Sequence, residues 1–188
     1  MIKKRIIDAY EFAKEKHRGQ FRKASELEYI THPKYVARVV EQLTSDEILT
    51  TAALLHDTIE DTDATYEEIE EKFGREVADI VNELTNKKKE RGSMKKRQYI
   101  LYKMGRMSDK ALIVKLADRF HNVLFLEKYW DDLEDFEFVK YYYKNTRFIM
   151  DNIVDERSEN HKELNEIHQA LIQRIEAVLN FLKIRYDF

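Results

Sequence analysis

Apolar residues recur every three to four positions through most of the chain, the period of helices that bury one face. Ile6, Ala9, Tyr10 and Ala13 predict a first helix over about residues 2–17. A polar segment, HRGQFRKASELEYITHP, follows. Pro33 stands where a second helix would start, which suits its fixed φ and missing N–H. Val36, Val39, Val40 and Leu43 give that helix its apolar face. Ser45 or Asp46 can cap a third helix that runs through Ile48, Ala52, Leu55 and Ile59. Thr65 followed by Glu68 reads as a capping box for a fourth, which Gly74 closes. Val77, Ile80, Val81 and Leu84 keep the helical period.

The period then lapses in NKKKERGSMKKR, which reads as a polar, mobile loop. It resumes through Ile100, Leu101 and Met104. Ser108 or Asp109 can start the helix that carries ALIVKLADRFHNVLFL, whose apolar run suits a central, enclosed position. Two long amphipathic segments follow, over roughly 132–154 and 161–184. Leu171, Ile175, Val178 and Leu182 favour burial of the second. No repeat or linker divides the chain. The expectation is one all-α domain over residues 1–188, with C-terminal helices at 155–188 that pack on the core or on a second subunit.

Composition sharpens this picture. The chain has 188 residues, one Pro and only four Gly, too few turn formers for a strand-rich fold. It has no Cys, so disulfides and thiolate metal sites are excluded. A net charge of −3 gives no general basic surface, so nucleic acid is not an expected partner. No apolar run is long enough to cross a membrane, and the N-terminus shows no signal-peptide core. A cytoplasmic protein is the expectation; its oligomeric state is open.

One place resists this bland description. The apolar stretch AALLHDTIED ends in His56, Asp57, Glu60 and Asp61. Charged groups are rarely buried unless they are paired or hold a metal. On a continuous helix His56 and Glu60, and Asp57 and Asp61, would share a face, so the four can converge. His56 and Asp57 diverge by about 100° on such a helix, yet both can reach one ion between them. His32 stands at a helix entrance in ITHP, and Asp118 lies inside the apolar run KLADRFHN. A carboxylate between Ala117 and Phe120 is costly unless something positive meets it. Two imidazoles and two carboxylates leave water positions in an octahedral shell, which suits Mn²⁺ or Fe²⁺, with Zn²⁺ and Mg²⁺ open. The alternative is that Asp57 caps a helix or pairs with Arg22 or Lys115, and that Asp118 pairs along its own helix. His17, His121, His161 and His168 read as structural or surface residues.

Taken together, HRGQFRK, THP, ALLHDTIEDTD, YEEIEEKFGREVADIVNELT and KLADRFHN resemble the HD-domain phosphohydrolases. More narrowly, they are similar to the hydrolase domain of RelA/SpoT proteins and to the stand-alone small alarmone hydrolases, including the metazoan SpoT homologue. The resemblance covers roughly residues 5–150. It implies an all-α HD-domain helical bundle with one Mn²⁺ on His32, His56, Asp57 and Asp118. It implies that Glu60 and Asp61 serve the attacking water. The implied reaction is removal of the 3′-pyrophosphate of guanosine tetraphosphate or pentaphosphate. Arg22 and Lys23 match the family's RK pair, Asn122 a sugar-contacting position and Tyr142 a phosphate-contacting one. Lys88, Lys95, Lys96 and Arg97 form the basic segment expected to close over phosphates.

Two departures leave specificity open. The family commonly reads RKSGEPYITHP where this chain has RKASELEYITHP. Val123, Leu124 and Phe125 follow Asn122 where relatives carry polar residues. An adenine alarmone or NADPH therefore stands as an alternative substrate. A non-catalytic nucleotide sensor and a purely structural bundle are the readings from other classes. The presence of all four ligand residues and both acidic residues argues against the first, and the second leaves Asp118 unexplained.

Overall fold

Helices begin where short polar side chains take up the first N–H groups, and end where the last carbonyls find other donors. The structure, a computed structural model, describes residues 4–23, 25–128 and 136–186. Among these residues the helices are α1 Lys4–Lys16, α2 Thr31–Thr44, α3 Glu47–Leu55, α4 Thr58–Asp61, α5 Tyr66–Phe73, α6 Arg75–Leu84, α7 Lys88–Arg91, α8 Lys96–Arg106, α9 Asp109–Lys128, α10 Phe136–Glu159 and α11 Glu166–Tyr186. The all-α expectation holds. An isolated antiparallel bridge pairs Phe21 with Glu28 in the turn before α2.

The capping signals are used. Asp46 accepts from the N–H groups of Ile48 and Leu49 at 2.8 and 3.2 Å. Thr65 accepts from Glu68 N–H at 3.2 Å. The Glu68 carboxylate meets the Lys16 ammonium at 2.9 Å instead of completing a box. Gly74 separates α5 from α6 at φ +90°, a conformation that favours glycine. Burial works against ionisation of Asp46, but the two N–H groups and the Lys110 ammonium outweigh it and hold its carboxyl below the ordinary value of 3.8. A depressed folded-state pKa means that its stabilisation is present above the ordinary value and is lost as pH falls through the depressed one. Asp46→Ala is expected to cost about 1 kcal/mol at neutral pH. Urea denaturation should show that difference shrink toward pH 3; a cost independent of pH would contradict the capping role.

Four boundaries differ from the sequence reading, one of them the end of α10, which runs to Glu159 rather than to about 154. The third helix does not run on through Ile59. It stops at Leu55, and α4 starts afresh at Thr58. His56 Nδ1 bonds the Ala53 carbonyl at 2.8 Å, and Thr58 Oγ1 donates to the Leu55 carbonyl at 2.7 Å. Side chains thus take carbonyls that a continuing helix would use. The segment 86–97 is not wholly loop, because Lys88–Arg91 makes one helical turn. The last helix begins at Glu166 rather than near 161, where Asn165 Oδ1 accepts from His168 N–H at 3.0 Å and Asn165 N–H donates to His168 Nδ1 at 3.2 Å. The start of the predicted 132–154 helix and residues 2 and 3 of the first lie outside the described residues.

The chain divides into two compact units, Met1–Lys87 with Ser108–Ala117, and Lys88–Met107 with Asp118–Phe188. The division falls within α9, between two consecutive residues of one continuous helix. In the first unit α3 packs against α1, α2 and α6, and α5 against α6. All residues from Leu49 to Leu55 are buried, so α3 is its axis. In the second unit α8 and α11 pack on α10. A Cβ on Gly105 of α8 would collide with the Glu156 side chain, so a larger residue there would force Glu156 to move. Leu171, Ile175, Val178 and Leu182 of α11 are buried, as their spacing predicts.

Arg157 was not singled out by the sequence, yet it is fully buried in the second unit. Its guanidinium donates to the carbonyls of Met107 at 2.7 Å and Glu163 at 3.2 Å, with Met104 O at 3.5 Å. These include carbonyls at the C-terminal end of α8, where a cation is favoured by the helix dipole. Among the described residues, no helix is long and apolar enough to cross a membrane.

Candidate functional site

The break between α3 and α4 presents the His-Asp pair. His56 is the residue after α3, and Asp57 turns the chain into α4. Asp57 makes no capping bond to α4, which removes the capping alternative. Its Oδ2 lies 3.1 Å from His56 Nε2 and 3.7 Å from His32 Nε2, and accepts from the Tyr29 hydroxyl at 2.6 Å. His32 and His56 are each 1 % exposed, and their rings meet edge to face with centroids 5.1 Å apart.

Asp118, 5 % exposed, is carried on α9, in which every residue from Ala111 to Arg119 is buried. One donor atom from each of His32, His56 and Asp118 lies within 4.8 Å of the others. Asp57 adjoins the two imidazoles without being one of those three. Asn122 Nδ2, one turn beyond Asp118, donates to its Oδ1 at 2.5 Å. Such a bond fixes the carboxylate's orientation.

The donor chemistry fits a divalent cation. The Ala53 carbonyl can only accept, so the proton of a neutral His56 sits on Nδ1 and the lone pair on Nε2. That lone pair faces a carboxylate oxygen at 3.1 Å. Two acceptors at this distance repel unless a cation or a proton joins them. An imidazole oriented by a backbone carbonyl through its far nitrogen is the usual setting of a metal ligand. His/His/Asp donors suit a divalent metal of the first transition row.

The acidic pair is held in different ways. Glu60 is exposed, and Asn86 binds both of its oxygens through its side-chain amide at 2.8 and 3.2 Å, with its backbone N–H at 2.9 Å. Asp61 is also exposed overall. Partial burial of its carboxyl, then the charges of Asp57 and Glu60, push it up to about 6, in line with the crowding read from the sequence. The Tyr29 hydroxyl is 3.5 Å from Asp61 Oδ2. The broken helix changes the expected convergence: Asp61 shares Tyr29 with Asp57, while Glu60 turns to Asn86.

The substrate candidates are placed less uniformly. Arg22 is partly buried with its guanidinium 5.8 Å from the Tyr29 ring centroid, and Lys23 is exposed. Tyr142 is partly exposed and lies under the Arg119 guanidinium at 5.2 Å. Arg97 stacks over Phe148 at 4.7 Å, while Lys95 and Lys96 are exposed. Lys88 lies in α7, but its side chain is outside the described residues. Val123 and Phe125 are 0 % and 7 % exposed, so two of the three apolar departures after Asn122 are absorbed in packing.

Tyr29, Gln20, Asn86 and Arg119 carry no sequence signal for this site, and His17 reads from the sequence as structural or surface. Tyr29 and Gln20 do lie inside the quoted motifs, three residues before His32 and in HRGQ. They sit in a turn, where no helical period marks which side chains face inward.

The chain matches the HD domain family over residues 9–135. Over 126 residues it is 43 % identical to the guanosine-3′,5′-bis(diphosphate) 3′-pyrophosphohydrolase MESH1 of Xenopus tropicalis, covering 65 % of this chain and 70 % of that protein. Over 122 residues it is 46 % identical to a guanosine-3′,5′-bis(diphosphate) 3′-pyrophosphohydrolase of Aquifex aeolicus, covering 63 % of this chain but only 17 % of that longer protein. A solved structure of a metazoan SpoT orthologue, described as hydrolysing ppGpp, aligns over 97 % of each chain with a TM-score of 0.79 and 25 % identity. The resemblance read from the motifs is thereby borne out: the chain belongs to the HD domain family.

Proposed function

We propose that this protein is a Mn²⁺-dependent hydrolase that removes the 3′-pyrophosphate of guanosine tetraphosphate or pentaphosphate. The observation that carries the reading is the convergence of buried His32, His56 and Asp118 beside Asp57, in a chain whose relatives are named for that reaction. Arg157 and His168 are structural in this reading, and the protein works in the cytoplasm.

His32, His56, Asp57 and Asp118 would hold the ion. When bound, it supplies Lewis acidity that lowers the pKa of water and offsets phosphoryl charge. Water attacks the phosphorus joined to the ribose 3′ oxygen. That P–O bond breaks, its electron pair passes to the 3′ oxygen, and a proton completes the hydroxyl. GDP or GTP and pyrophosphate leave. Asp61 and Glu60 orient the water and take its proton. Arg22 offers a planar face to the purine, and Lys23 a positive charge. Asn122 holds Asp118 and reaches the sugar. Tyr142, Lys88, Lys95, Lys96 and Arg97 meet the phosphates.

Tyr29 steadies the Asp57 carboxylate in this scheme. Tyr29→Phe keeps the ring contacts and loses a hydrogen bond to a charged group, worth about 1.5–3 kcal/mol. Turnover should fall about 10- to 100-fold, since about 1.4 kcal/mol is a factor of ten. Steady-state kinetics against thermal melting checks this; unchanged kcat would remove Tyr29 from the site. The substrate itself is tested by offering guanosine tetraphosphate, its adenosine counterpart, GTP and NADPH to the Mn²⁺-loaded protein, with products resolved by anion exchange. Preference for the first is expected. Turnover of only another compound would keep the site and refute the substrate.

A further inference from the structure

The motif HRGQ has no part in the mechanism so far, yet two of its side chains lead to Asp61. Helix α4 has four residues, too few to be stable alone. Its last carbonyls need donors from elsewhere. Gln20 Nε2 donates to the Asp61 carbonyl at 2.9 Å, from 41 residues away in sequence. That carbonyl can only accept, which fixes the Gln20 amide with Oε1 turned the other way. Oε1 lies 2.8 Å from His17 Nδ1, which must therefore be the donor. His17 is 3 % exposed and stacks on Tyr29 with ring centroids 4.7 Å apart. The backbone closes the bracket: Gln20 N–H donates to His17 O at 3.0 Å, and Tyr29 N–H donates to Gln20 O at 2.9 Å.

We propose that Gln20, oriented by His17, is a positioning residue that fixes Asp61 relative to Asp57. The Tyr29 hydroxyl reaches the carboxyl groups of Asp57 and Asp61, and Gln20 holds the Asp61 main chain, so one turn anchors both ends of the same aspartate. The contribution to catalysis rests on the role of Asp61 above; the anchoring does not.

Gln20→Met keeps the side chain's length and removes both hydrogen bonds. His17→Phe keeps a ring against Tyr29 and removes the donor to Gln20. Amide hydrogen exchange is read in the metal-free protein at Asp61 and Thr62, whose N–H groups donate to Asp57 O and Thr58 O. Loss of the anchor should speed exchange there about fivefold in both variants, with the core amides of α3 unaffected. With metal loaded, kcat should fall about tenfold while KM, metal content and melting temperature hold, a split that mere loss of folding stability does not produce. Exchange at Asp61 and Thr62 equal to that of the parent overturns the anchor. Faster exchange with unchanged kcat overturns its positioning role. If the parent releases no pyrophosphate from guanosine tetraphosphate, the substrate reading fails by itself, and the exchange result still decides the anchor.

Discussion

Asp118→Ala is expected to lose its divalent ion and its turnover together while folding at least as well as the metal-free parent. The carboxylate is 5 % exposed on a helix whose neighbouring residues Leu116 and Ala117 are fully buried. Burying a carboxylate carries a desolvation cost that partners such as Asn122 must offset, and removing the side chain lifts that cost from the metal-free fold. The metal-bound state loses its buried anionic ligand and is left with two neutral imidazoles beside Asp57. Disturbing only an outer partner of a ligand costs about 10–100-fold in affinity, so deleting a ligand should cost more than about 100-fold. Metal analysis after purification and thermal melting with and without Mn²⁺ separate these effects. Stoichiometric metal in the variant would refute the ligand assignment. A metal-free variant that also fails to fold would mean that Asp118 is there for the fold.

The second large effect lies away from the site. Arg157→Ala should destabilise by about 3–5 kcal/mol, because it opens a cavity and strands buried acceptors. The Met107 carbonyl would keep Lys162 Nζ at 3.1 Å, but the bond from Arg157 at 2.7 Å is lost. For a chain of this size about 2–4 °C accompanies each kcal/mol, so the melting temperature should drop on the order of 10 °C. Arg157→Lys should recover part of this, since one ammonium can still reach one carbonyl. A drop under about 2 °C in Arg157→Ala would show that the buried guanidinium adds no net stability.

The fold was largely legible, because helical period and capping chemistry are local. Asp46 and Thr65 start α3 and α5 as read, and the apolar run around Asp118 is the enclosed helix it suggests. Asp118 stood out for the same reason that it is useful: a carboxylate in such a run needs a positive partner. The break at His56 was not legible. Period alone continues through Ile59, whereas the structure turns on His56 Nδ1 and Thr58 Oγ1 capturing nearby carbonyls. That break sends Glu60 to Asn86 and Asp61 to Tyr29 and Gln20, contacts spanning 26 to 41 residues. Long-range hydrogen bonds of this kind leave no periodic trace. Arg157 was hidden likewise, since its partners are backbone carbonyls distant in sequence.

Phosphorus NMR of the products that the Mn²⁺-loaded protein makes from guanosine tetraphosphate, followed as the reaction proceeds, decides whether it is a 3′-pyrophosphohydrolase. GDP and pyrophosphate in equal amounts are expected, and neither from Asp118→Ala. Release of orthophosphate, loss of the 5′-diphosphate, or an unchanged spectrum with metal bound would contradict that function.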